Sequence, residues 1–322
     1  MSDATRIVEP GKLFRILSLD GGGAKGFYTL GILSEIEALV KEALYKRFDL
    51  IVGTSTGAII AALLARGEPV DAVLSTYREH VPPIMKDQSL ATRTTALHSH
   101  AKAVFGDQTV DAFKTGIVIV ATNWRDKRPL LFKNREAQAY ASKGSFVPFF
   151  GVCVAIAVIA SCSAYPFFNL YQITKSNGDE VLCADGGFCA NNPSLYAIAD
   201  AIGPLRVEKS NVRLISLGVG SYPEPKTWRK AKRALRDFQL ARYAISSTFL
   251  QTILDTNTHS MEIISNILFS DLPMVRVDDV FREPDLATDL LEHDLKKLNR
   301  LTQKGRDSYR KYEPKIAELL EK

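Results

Sequence analysis

The segment Phe48-Asp-Leu-Ile-Val-Gly53-Thr-Ser55-Thr-Gly57-Ala-Ile-Ile-Ala-Ala-Leu-Leu-Ala65 passes from one apolar run, Phe48–Val52, through a glycine-flanked turn into a second apolar run. The first run is short and apolar at every position but Asp49, as a strand covered on both faces is, and the second suits a helix buried beneath the turn. A serine between two glycines at a strand-to-helix turn has the form of a nucleophile elbow. Gly53 and Gly57 relieve the crowding there, and Ser55 is expected to be exposed. GxSxG arises by chance in roughly one chain in ten of this length, so the strand-turn-helix setting carries the argument.

Working outward, Arg15–Leu19, Ile117–Ala121 and Val212–Leu217 read as further buried strands, and Tyr28 to Leu44 carries Leu30, Leu33, Ile36, Leu39 and Val40 at helical spacing. Strand, helix, strand opens a βαβ unit. The expected fold is α/β, a three-layer α/β/α sandwich with a mostly parallel central sheet. Between the first strand and its helix lies Asp20-Gly21-Gly22-Gly23-Ala24-Lys25-Gly26. Glycines at a helix start let backbone N–H groups approach negative charge, either a phosphate or a reaction oxyanion. GGGAKG also fits the dinucleotide pattern GxGxxG. No GK[ST] follows, which excludes a P-loop, and the acid near the second strand, Asp49, stands at its start rather than its end. A third turn, Asp185-Gly186-Gly187, follows the short run Val181–Ala184 and leads into Asn191-Asn192-Pro193; alone it is an ordinary Asp-Gly-Gly turn.

Together and in this order, DGGGAKG, GTSTG and DGG followed by NNP resemble the signature of patatin-like phospholipases over about Leu17 to Pro193. Ser161-Cys-Ser-Ala-Tyr-Pro-Phe-Phe168 resembles a divergent form of that family's small-residue segment, without the arginine common there. The resemblance implies a serine lipid acyl hydrolase of phospholipase A type working through a Ser–Asp dyad. Ser55 is then the nucleophile and Asp185 its base, and the backbone around Gly22, Gly23 and Ala24 forms an oxyanion hole with Lys25 adding positive charge nearby. No metal and no cofactor is expected. Asp20 is expected to hold the glycine loop through local hydrogen bonds. His80, His98, His100, His259 and His293 lie outside the motifs, although His259 or His293 could complete a Ser…Asp…His order. Two rival readings are a phosphate- or nucleotide-binding module without hydrolytic activity and a non-lipid esterase with the same dyad.

The rest of the chain sets bounds. With 322 residues, 46% of them hydrophobic, and a net charge of +5, it reads as a globular protein rather than a dedicated nucleic-acid binder. Cys153, Cys162, Cys183 and Cys189 form no CxxC pair and read as reduced and buried. The beginning MSDATRIVEPGKLF lacks the pattern of a secretory signal, which points to the cytoplasm, and the resemblance to lipid hydrolases implies action at the inner membrane surface. Phe149–Ala160 is apolar but too short to span a bilayer and is expected as one buried helix. Residues between Phe146 and Phe168 are candidates for an acyl groove. Residues 75–115 read as an irregular insertion with some helix, and the last thirty as an amphipathic helix. The expected organisation is a catalytic core over residues 1–222 and a helical C-terminal part, 223–322, packed on it. Within the family the length resembles bacterial antiviral effectors that degrade membrane phospholipid once a cyclic di- or trinucleotide binds. The basic run Lys226 to Arg242, with Trp228 and Tyr243, is the candidate surface for such an activator. A homo-oligomer is left open.

Overall fold

The computed structural model describes residues 11–86, 89–140, 143–222 and 238–321. Eight strands, β1 (Phe14–Leu19), β2 (Leu50–Thr54), β3 (Gly116–Asn123), β4 (Arg128–Lys133), β5 (Tyr171–Thr174), β6 (Glu180–Asp185), β7 (Val212–Leu217) and β8 (Met274–Val277), form one sheet among the described residues. β3, β2, β1, β7 and β8 run parallel in that order, while β4, β5 and β6 join antiparallel at the β3 side. The central strands are apolar on both sides because each faces two cores. Phe14, Ile16, Leu50, Val52, Val118 and Val120 point to one, while Leu17, Leu19, Ile51, Ile117, Ile119 and Leu217 point to the other. Three layers follow.

The helices are α1 (Gly26–Val40), α2 (Leu44–Arg47), α3 (Thr56–Arg66), α4 (Val70–Lys86), α5 (Leu90–Phe105), α6 (Val154–Cys162), α7 (Gly187–Ala190), α8 (Ser194–Ile202), α9 (Phe238–Leu268) and α10 (Leu295–Leu320). α8 closes the smaller core with Ala197, Ile198 and Ala201, while α1, α3, α4 and α6 fill the larger. α1 stops at Val40, earlier than expected, because Lys41 turns left-handed (φ 54°) and its N–H returns to the Glu37 carbonyl.

Residues 75–115, expected as an irregular insertion with some helix, are mostly helix. α4 accommodates Pro82 and Pro83 in its last turn, and α5 is capped by Ser89, whose hydroxyl accepts the Thr92 N–H at 3.1 Å. The apolar segment 149–160 is not one helix. Phe149 and Phe150 take positive φ, 49° and 55°, and turn the chain before α6 begins. The C-terminal hundred residues supply β8 as well as helices, and α10 is the expected amphipathic helix, with Leu298, Leu301, Ile316, Leu319 and Leu320 buried. The basic residues from Lys226 to Arg236, with Trp228, lie outside the described residues. Among the described residues the cysteines are free, Cys162 and Cys183 buried and Cys153 and Cys189 half-buried. No described helix is long and apolar enough to cross a membrane.

Candidate active site

Strand register brings the second and third motifs together. β4 occupies one edge of β3, pairing Val118 through Asn123. β2 and β6 therefore share the other edge. β2 covers Gly116–Val120 and ends at Thr54, and β6 enters antiparallel from beyond and ends at Asp185, opposite Ala121. The carboxyl ends of the two strands meet head to head, so Ser55, the next residue after β2, faces Asp185. Both line one cavity, and the Ser55 side chain lies near enough to the Asp185 carboxylate to favour its ionised form.

Each residue is held from behind. Ser55 has φ 53° and ψ −122°, a conformation that costs a non-glycine residue on the order of 1–3 kcal/mol. Its N–H donates to Ser161 Oγ at 2.8 Å, and that hydroxyl donates to the Val120 carbonyl at 2.5 Å. A Cβ on Gly57 would stand 2.3 Å from the Leu19 carbonyl oxygen, so only glycine lets the elbow sit this close to the end of β1. Gly53 packs against the backbone of Gly57, and Gly186 against the Val120 carbonyl. Asp185 is buried, accepts the Gly187 N–H at 2.7 Å, and pairs through its own N–H with the Ser163 carbonyl at 2.9 Å. Burial pushes its carboxyl up to about 6, against the hydrogen bonds from Ser55 and Gly187, which favour the ionised form. The neighbouring Cys162 thiol is raised well above its ordinary value by burial and by the Asp185 charge, so it stays protonated.

The glycine loop lies against this pair. Gly21 packs on the Ser55 side chain and donates its N–H to the Asn191 carbonyl at 3.0 Å, so the NNP turn carries the loop. The N–H groups of Gly22 and Gly23 have no acceptor among the described residues, and both residues line the same cavity as Ser55 and Asp185. That cavity is walled by Val81, Ile84 and Met85 of α4, Leu97 of α5, Phe167, Phe168 and Leu254. An apolar chamber ending on a serine, a basic carboxylate and two free amides suits an acyl ester.

A patatin-like phospholipase family model matches residues 17–198, more than half of the chain. The chain belongs to the patatin-like phospholipase family. It is 51% identical to the cUMP-AMP-activated phospholipase of Escherichia coli over 95% of this chain and 93% of that protein. It is 25% identical to the cGAMP-activated phospholipase of Vibrio cholerae serotype O1 over 63% of each. Among solved structures, VipD from Legionella pneumophila overlaps 96% of this chain and 67% of its own at a TM-score of 0.45 and 13% identity.

The rest of the phospholipase site departs from the sequence reading in several places. The Ala24 N–H is taken by the Leu290 carbonyl at 3.1 Å and that of Lys25 by Gly22 at 3.2 Å, so neither amide is free for an oxyanion. The Lys25 side chain lines a second cavity behind the loop, beside Asp255 and Asp278, and burial lowers its pKa against the pull of those carboxylates. Asp20 does not tie the glycine loop through its carboxylate. Its two oxygens take a fork from Arg276, at 2.8 and 2.6 Å, and Arg276 also reaches Asp278 at 2.7 Å. No histidine lines the Ser55 cavity. His259 bonds the Asp255 carbonyl beside the second cavity, and His293 that of Leu291. Of the expected groove, Cys162, Ala164, Phe167 and Phe168 line the cavity, and the facing wall comes from α4 and α5. Local sequence pattern does not mark Ser161 and Arg276 as positioning residues, because their partners lie far off in sequence. Among the described residues no cluster of side chains could hold a metal.

Proposed function

We propose that this phospholipase cleaves acyl esters of membrane phospholipid by a Ser55–Asp185 dyad, at the inner membrane surface, once a cyclic nucleotide of the cUMP-AMP type has bound. The observation that carries the dyad is the head-to-head meeting of β2 and β6 on one edge of β3, beneath an apolar cavity. Asp185 takes the Ser55 proton as Oγ bonds the acyl carbon, and the carbonyl oxygen gathers negative charge between the N–H groups of Gly22 and Gly23. Each such donor is worth about 3 kcal/mol. Collapse breaks the ester bond, and the proton passes from Asp185 to the departing lysophospholipid. Water, deprotonated by Asp185, then frees the fatty acid and restores Ser55. A carboxyl raised to about 6 is a far better base for this than an ordinary one. The activator is proposed from the 51% identity to an enzyme so activated.

The test is fatty-acid release from phospholipid vesicles by the wild type and Ser55→Ala, with and without cUMP-AMP and other cyclic oligonucleotides. Release that needs both Ser55 and one nucleotide supports the whole reading. Release from water-soluble esters alone favours the non-lipid esterase. Folded protein that binds nucleotide and releases nothing favours the binding module.

A further inference from the structure

We infer that the β3–β4 hairpin tip and the aromatic side chains beside it form a docking surface for an anionic phospholipid bilayer; this rests on the lipid-cleaving reading above. The tip, residues 124–128, carries Trp124, Arg125, Lys127 and Arg128, all exposed. The Trp124 ring is 37% exposed and lies 5.4 Å from that of Phe188 and 6.3 Å from that of Tyr165, itself 46% exposed. Tryptophan and tyrosine favour the headgroup level of a bilayer, where one end of the ring is wet and the other apolar. The tip holds three cations against one carboxylate, Asp126, which pairs with Arg128. Among the described residues Arg125 and Lys127 make no ion pair. Their charge complements an anionic headgroup layer.

The tip is also rigid. Asn123 accepts the Asp126 N–H at 3.1 Å and donates to its carboxylate at 3.0 Å, and the Trp124 N–H bonds the Leu182 carbonyl at 2.8 Å. Lys127 sits at φ 53°, a position that glycine or asparagine fills at lower cost, so the turn keeps a cation against its own backbone preference. The surface is continuous with the site. Phe188 on α7 stands three residues after Asp185, and Ala164 and Phe167, on either side of Tyr165, line the acyl cavity. A bilayer on this surface therefore lies against the outside of a wall of that cavity. A protein or nucleic-acid partner would use the cations without needing such continuity.

The experiment measures partition of Ser55→Ala protein, with and without cUMP-AMP, onto vesicles of phosphatidylcholine mixed with phosphatidylglycerol and of phosphatidylcholine alone. Each cation near an anionic surface strengthens attraction about five-fold, so Arg125→Gln with Lys127→Gln should weaken binding to the mixed vesicles about 30-fold. Trp124→Ala should weaken binding to both vesicle types. On a Ser55 background the same variants should lose turnover on vesicles and keep it on a short-chain, water-soluble ester, which reads the dyad without the bilayer. Partition that ignores lipid charge and all three substitutions overturns the inference. So does equal loss of turnover on the soluble ester, which would place these residues in the integrity of the site. A soluble ester left uncleaved by the wild type, with partition behaving as expected, would count against the dyad and not against the docking surface.

Discussion

At the residue scale, Asp185 exchanges stability for basicity. A carboxyl held at about 6 instead of its ordinary 3.8 makes the ionised form about 3 kcal/mol less favourable in the folded chain. The stabilising contribution of the protonated group is complete below the unfolded value and is lost as pH rises through 6. Asp185→Asn should therefore raise the melting temperature at pH 8, and the gain should shrink toward pH 5. Activity of the wild type on a soluble ester should climb with pH through about 6 to a plateau, and the Asn variant should lose at least about 100-fold at every pH. Ser55 holds a second reserve of strain. Ser55→Gly keeps the backbone and removes the Cβ that resists φ 53°, so thermal melts should show about 1–2 kcal/mol of added stability in an inactive protein.

At the scale of elements, the α1–α10 crossing depends on two glycines. A Cβ on Gly31 would lie 2.0 Å from the Thr302 carbonyl oxygen, and one on Gly305 2.1 Å from that of Tyr28. Both obstacles are backbone and cannot rotate away. Gly31→Ala and Gly305→Ala should each destabilise by about 2 kcal/mol or more in urea titrations, whereas Ala substitution at exposed Gln303 should change little. Such a crossing leaves no mark in the sequence beyond two glycines in two helical patterns. The strands β1, β2, β3 and β7 were legible because burial on both faces makes them mostly apolar, with few polar interruptions such as Arg15 and Arg213. β4, with Pro129 exposed at its start, and the short β5 and β8 lack that signature. α4 and α5 were hidden by Pro82, Pro83 and polar residues scattered without clean periodicity, although they supply one wall of the cavity. Ser55 and Asp185 could be found because catalysis at a turn demands glycines beside the reacting residue. Ser161 supports Ser55 from 106 positions away through a single hydroxyl, which no local pattern reveals.

At the scale of the molecule, the loop that carries the free amides is held by residues from the far end of the chain. Leu290 takes the Ala24 N–H and packs on Gly23, whose φ of 60° and close approach to the Leu290 carbonyl admit no side chain. Arg276 on β8 forks onto Asp20 and reaches Ser216 and Asp278, and Asp278 in turn accepts the Gly220 N–H at 2.9 Å. Burial pushes the Asp20 carboxyl up to about 7 against the pull of Arg276, so the guanidinium is what keeps a charge tolerable there. Arg276→Met removes one partner of a buried pair and leaves the other beneath the glycine loop. It should destabilise by about 3–5 kcal/mol and lower turnover on soluble esters and vesicles alike. Pairing it with Asp20→Asn should restore much of the stability, because no uncompensated charge then remains buried. Turnover should recover less, since the neutral pair no longer anchors Asp20, the residue from which the glycine loop starts. Melting curves and soluble-ester kinetics on the two single variants and the double variant would decide it. Additive losses in stability would mean that Asp20 and Arg276 act separately and that the loop is set by Leu290 and Asn191 alone.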